Sequence, residues 1–127
     1  MKVENKEIDC KAPHDQYQLC EKNVVYGIPF TCGTEYVGQT GRCVSVRLKE
    51  HKRSIELNEG VGYNLNKHTK KCKCEVNLQD TVIRYKHGSE KGREIVESFF
   101  IETIPMCISQ MSIKLIEEEK TILRSIL

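Results

Sequence analysis

Two short runs of strand-forming residues, joined by four turn residues, constrain this chain more than any other feature. Asn23 to Phe30 (NVVYGIPF) carries β-branched and aromatic residues and reads as a strand. Pro29 has no N–H to give a ladder, so that end belongs at an edge or at the turn. Thr31-Cys32-Gly33-Thr34 is a short loop, and Glu35 to Gln39 (EYVGQ) is a second strand. Together they predict a β-hairpin, closed by Thr40-Gly41-Arg42.

The rest of the chain supplies elements to cover it. The apolar residues Val44, Leu48 and Ile55 fall on one stripe of a helix over 44–57, which Asn58 to Gly62 breaks. A short helix is expected over 63–69 and a third strand over 78–85 (LQDTVIRY), ended by His87-Gly88. Arg93 to Ile104 is rich in apolar residues and reads as a buried helix, stopped by Pro105. Residues 112–127 read as an amphipathic helix with a Glu117-Glu118-Glu119 polar face. This order predicts an α+β fold, a small three-stranded antiparallel sheet flanked by helices. Residues 1–22 are expected to be an irregular lead-in and 23–127 a single domain, as a length of 127 residues suits.

Apolar residues make up 39% of the chain and charged residues 30%, an ordinary globular balance with material for one modest core. No apolar run approaches the roughly 20 residues that a membrane helix needs, so no membrane partner is expected. Met1 to Asp9 is polar and acidic with no apolar signal segment, which points to an intracellular protein. In that setting the seven cysteines, an odd number, are expected to be thiols or metal ligands rather than a disulfide framework. Charge is unevenly spread. Arg42 to Lys91 holds twelve Lys/Arg against six Asp/Glu, while the remainder is net acidic. The middle of the chain offers either a basic face for phosphates or a plain solvated surface.

Several residues suggest chemistry. Arg47 and His51 stand four apart and share a helix face beside the apolar stripe, aimed toward the sheet. The alternative is a snorkelling arginine with a histidine at the rim. Glu97 precedes Phe100 and Ile101, so its carboxylate sits on an apolar face. Such a group needs a cation or a metal, or else an ion pair with Arg93 one turn back. Tyr26 and Tyr36 lie on neighbouring strands, where tyrosines ordinarily pack. A phenol, an arginine, an imidazole and a carboxylate converging on one sheet face would suit phosphoryl chemistry. Phosphodiester cleavage needs an activated water, a cation on the phosphate and a stabilised leaving oxygen.

Taken in order, these segments resemble one family. Val24-Val25-Tyr26 and Tyr36-Val37-Gly38 are similar to the paired motif of the GIY-YIG endonucleases. Gln39 to Arg42, then Arg47-Leu48-Lys49-Glu50-His51, resemble that superfamily's loop and catalytic helix, and Arg93 to Ile101 resembles its metal-binding helix. The run IPFTCGTEYVGQTGR, with Cys107 to Gln110, is most similar to the nuclease domains of Penelope-like retroelements. Val24 stands where the family name has glycine, and no late asparagine after Glu97 matches the one common in the superfamily.

The resemblance implies a metal-dependent DNA endonuclease. Tyr26 would orient or deprotonate the attacking water, and Tyr36 would hydrogen-bond the phosphate or that water. Arg47 would bind the scissile phosphate, and His51 would hydrogen-bond the reacting group or Tyr26. Glu97 would hold one Mg²⁺ (or Mn²⁺) against the leaving 3′ oxygen. Gly38 would let the backbone approach the substrate, with Arg42, Lys52 and Arg53 as further substrate-binding residues. A tyrosine of ordinary pKa, about 10, is a poor base, so the environment of Tyr26 would have to depress it. The partner would be DNA, with a reverse transcriptase beside the domain in a parent element, and the place of action the nucleus.

Penelope-like domains often carry a Cys/His zinc site, and a structural Zn²⁺ on Cys32, His68, Cys72 and Cys74 is the corresponding expectation here. Cys43 could substitute for one of them, and free thiols are the alternative. Lys67, Lys70, Lys71 and Lys73 surround this segment and could meet phosphates. Against the enzyme stands a second expectation: a catalytically silent DNA-binding or zinc-stabilised interaction module.

Overall fold

The structure, a computed structural model, describes residues 21–57, 63–104, 107 and 114–127. The lead-in up to residue 20, with Cys10 and Cys20, the break at 58–62, Pro105 and the start of the expected last helix lie outside the described residues. Strands β1 (Val24–Pro29), β2 (Glu35–Thr40) and β3 (Val82–Lys86) form one sheet in the order β2-β1-β3, antiparallel throughout. Helices α1 (Val44–Leu57), α2 (Tyr63–Cys72), α3 (Glu90–Thr103) and α4 (Glu117–Ile126) flank it. This is the α+β fold expected from the sequence. No described helix is long and apolar enough to cross a membrane.

β1 is central, so both of its faces are covered. Val24, Tyr26, Ile28 and Phe30 point into a core completed by Val44 and Leu48 of α1, Leu65 of α2 and Leu78. Val25 points the other way, into a core with Val37 and with Val96 of α3. Alternation with both sets apolar is what a doubly covered strand requires. Phe99 of α3 with Leu115 and Leu123 holds α4 in place.

The hairpin turn closes with Phe30 N–H donating to Thr34 O and Gly33 N–H to Phe30 O, both at 3.0 Å. Gly33 has φ +97°, in the region that only glycine enters without strain. The turn is also tied to the chain after α2. Thr31 N–H donates to Glu75 O, Asn77 N–H donates to Pro29 O, and Phe30 bridges Val76.

Four elements differ from their expected bounds; α4, expected from 112, begins at Glu117, where the Glu119 carboxylate accepts from Ile116 N–H and caps the helix. The third strand begins at Val82, because Leu78–Asp80 is a 3-10 turn. Leu78 is buried in the first core, and the Thr81 N–H and hydroxyl both donate back to its carbonyl, which closes a tight turn in place of a ladder. α2 runs on to Cys72. α3 starts three residues early, at Glu90, because the Ser89 hydroxyl accepts from Gly92 N–H and caps it.

Candidate functional site

The first cluster lies between the hairpin and α1. Tyr26 and His51 have no exposed surface, and the Tyr26 hydroxyl and His51 Nε2 form a hydrogen bond of 2.9 Å. The Tyr36 ring meets His51 edge-on, with centroids 5.2 Å apart. Gly38 pairs with Tyr26 across the ladder. A Cβ there would stand 2.7 Å from the Tyr26 hydroxyl oxygen, so the glycine makes room for the phenol.

Arg47 is half-buried one turn before His51 and donates to Glu50 at 3.3 Å. Glu50 also accepts from Arg42 at 2.7 Å. It therefore links two of the residues expected to meet substrate, a role that only its three-dimensional surroundings reveal. Arg53 is exposed on α1. Lys52 lines a cavity of about 650 Å³ between α1, α2 and residues 74–79, away from the tyrosines.

Glu97 comes from α3, which packs on the opposite face and chiefly against β2. The convergence on one sheet face expected from the sequence is therefore not met: Glu97 comes from the opposite side, and the five candidates straddle the sheet on the β2 side. Glu97 is nevertheless within electrostatic reach of both phenols, since its negative charge helps to raise each of them. The ion pair with Arg93 is not what occupies Arg93. That guanidinium, buried at the end of the sheet, donates to Gln39 Oε1, Asn23 Oδ1 and the carbonyls of His87 and Gly88. It pins the start of α3 to β1 and β2.

Burial sets the electrostatics of this cluster. It pushes the Tyr26 phenol well above its ordinary 10, helped by Tyr36 and opposed by Arg47. The Tyr36 phenol is raised for the same first reason. His51 is lowered from 6.5 to about 4 by burial and then by the Arg47 charge, so it is neutral at physiological pH. The depressed tyrosine pKa wanted of a base acting alone is thus absent. Among the described residues, the buried Arg47 Nε and His51 Nδ1 have no hydrogen-bond partner. Leaving such an atom unpaired costs about 1–3 kcal/mol.

The second cluster sits at the hairpin turn. One ligand atom from each of Cys32, His68, Cys72 and Cys74 falls within 4.8 Å of all the others. Tetrahedral zinc with about 2.3 Å bonds to sulfur would place its ligands about 3.8 Å apart, so a small contraction suffices. Cys32 Sγ is 3.1 Å from His68 Nε2, and the Thr34 hydroxyl lies within 3.2 Å of both. His68 and Cys72 are four apart on α2. Cys74 is turned back toward them by Lys73, whose φ is +63°. Hydrogen bonds from Thr34 hold the Cys32 thiol down at about 6, whereas desolvation and the neighbouring thiols push Cys74 up to about 12. These four residues can hold a metal ion such as zinc. Cys43 cannot stand in for any of them, because it is fully buried and disulfide-bonded. That bond also departs from the all-thiol expectation.

No family model matches the chain, and neither the curated proteins nor the solved structures contain a match to it.

Proposed function

We propose that the chain is a metal-dependent DNA endonuclease of the GIY-YIG type, hydrolysing phosphodiester bonds and derived from a retroelement. The observation that carries this reading is the pair of buried polar atoms without a partner among the described residues, Arg47 Nε and His51 Nδ1, beside the buried Tyr26–His51 hydrogen bond. A merely structural cluster gains nothing from leaving them unpaired, whereas a phosphate and a water would satisfy them.

In this reading Arg47 gives up its contact with Glu50 to hold the scissile phosphate, and Arg42 and Gly38 border the path of the strand. Tyr26 remains a phenol. It orients the attacking water and passes a proton to the neutral His51 Nε2 as it takes one from that water, so no phenolate is needed. Tyr36 hydrogen-bonds the phosphate. Glu97, a carboxylate within electrostatic reach of both phenols, would hold Mg²⁺, an ion commonly bound through one or two carboxylates. Such an ion, or Mn²⁺, supplies Lewis-acid stabilisation of the leaving 3′ oxygen. The second cluster holds a structural Zn²⁺ that fixes the hairpin turn on α2. The place of action is the nucleus, beside a reverse transcriptase in a parent element.

A second reading, a zinc-stabilised module that binds DNA without cutting it, is favoured by the upward shift of Tyr26, which is opposite to that of an activated base. Glu97→Ala separates the two. The nuclease loses magnesium-dependent cleavage while duplex affinity stays within a few-fold. Cleavage that survives in Glu97→Ala would remove the assigned metal ligand and with it this mechanism.

A further inference from the structure

α2 divides cleanly by face. Successive residues step about 100° around a helix. Leu65 is fully buried and points into the core. His68 and Cys72 share the side that faces the hairpin turn. Lys67, Lys70 and Lys71 recur at three and four residues, on the side away from Leu65, and all three are exposed. Lys73, exposed as well, follows directly. The helix itself, YNLNKHTKKC, contains no acidic residue.

Like charges at this spacing repel one another by a few tenths of a kcal/mol per pair. No ion pair among the described residues involves Lys70, Lys71 or Lys73. Elsewhere Arg42, Arg47, Arg84, Lys86 and Lys120 each meet a carboxylate. Ten residues are also too few to make a stable helix alone. What fixes α2 is Leu65 on one side and the Cys/His cluster on another.

We propose that the lysine stripe of α2 is a second binding site, a grip for the phosphate backbone of double-stranded DNA, and that metal in the Cys/His cluster holds it in shape. The proposal rests on the reading of the chain as a protein that acts on DNA, and adds a contact surface apart from the tyrosine–histidine cluster. Backbone phosphates are the ligand that Lys70, Lys71 and Lys73, exposed and without a carboxylate partner among the described residues, fit, as point charges with no geometric selectivity. The grip supplies affinity and no sequence preference.

The test is duplex binding by the zinc-loaded protein, without added magnesium, over a range of salt concentrations. Each phosphate contact adds about 0.9 to the slope of log affinity against log salt. The Lys70→Ala/Lys71→Ala/Lys73→Ala protein changes only exposed side chains and keeps its fold. Its slope is expected to be shallower by about 2 to 3. Cys72→Ser is expected to lose the same part of the slope through loss of metal. An unchanged slope in the triple variant overturns the proposal. So does a triple variant altered only in zinc affinity, because the lysines would then merely neutralise the thiolates, or one altered only in binding to single-stranded RNA. A wild-type protein that grips through these lysines but never nicks would sink the nuclease reading and leave the grip standing. One that nicks with a slope indifferent to the lysines would do the reverse.

Discussion

At the strand end of the β1–β2 hairpin, Tyr26 meets His51 with no exposed surface; at its turn end, Cys32 meets His68 in the open. Both clusters pair a β-hairpin residue with a histidine from a helix, at 2.9 and 3.1 Å. The surroundings differ. Around Tyr26 the core of β1 and α1 fixes every partner, and burial keeps the phenol and the imidazole neutral. The Cys32 thiol is exposed, and hydrogen bonds from Thr34 favour the thiolate. Packing can preorganise a neutral cluster without help, whereas an exposed cluster of thiols needs an ion to define it. The first arrangement suits chemistry on a substrate that brings its own charge. The second suits structural metal binding.

The comparison breaks most visibly if metal is withheld from the turn end. Cys72→Ser, or chelation of the wild type, is expected to lower stability by on the order of 5 kcal/mol, read as a fall in Tm that added zinc reverses only in the wild type. A chelator-insensitive Tm would show that packing alone defines this cluster too. Next in size is the strand end. Arg47→Ala is expected to cut the nicking rate about 10²- to 10³-fold, as loss of a charge-stabilising donor does, with Tm little changed. A fall in Tm that accounts for the lost activity would make Arg47 structural.

His51 sharpens the contrast through pH. Its folded pKa, about 4, lies below its ordinary 6.5, so the neutral form is favoured by folding. The stability this contributes is complete above pH 6.5 and is lost as pH falls toward about 4, because the unfolded chain takes up a proton that the folded one resists. The loss is about 3 kcal/mol, and denaturant titrations across that window should show it. In His51→Gln that component of the slope should vanish.

Gly38→Ala tests the fit around the phenol. The new Cβ would lie 2.7 Å from the Tyr26 oxygen and 2.8 Å from Cζ, so the ring must move. A cost of about 2 kcal/mol is expected, together with a larger loss of cleavage than of stability. The smallest effect is kept for a control outside both clusters. Arg84 forms a two-pronged pair with Glu35 across Gly27. Arg84→Ala should cost about 1 kcal/mol or less and leave both zinc affinity and nicking intact.

Much of this was legible in the sequence, for identifiable reasons. The hairpin and α1 announce themselves through strand-forming residues, a glycine turn and a helical apolar stripe, which are local signals. The four cluster residues followed from the resemblance to Penelope-like domains, with His68, Cys72 and Cys74 close along the chain and Cys32 in the hairpin turn. What stayed hidden depends on distant parts of the chain. Nothing near Arg93 tells that it will reach Asn23 and Gln39 instead of Glu97. The 3-10 turn at Leu78 was hidden because a buried leucine serves a strand and a turn equally. The shift of Tyr26 is hidden for the same kind of reason: burial is a property of the whole core, and it drives the phenol away from the depressed value that its expected chemistry asked for.

The most direct measurement is relaxation of supercoiled plasmid by the zinc-loaded protein as Mg²⁺ is titrated, beside Glu97→Ala and Arg47→Ala. Nicking that rises with Mg²⁺ in the wild type and is lost in both variants is the predicted result. A folded, zinc-loaded wild type that binds the plasmid and leaves it supercoiled at every Mg²⁺ concentration would contradict the nuclease and leave a DNA-binding module in its place.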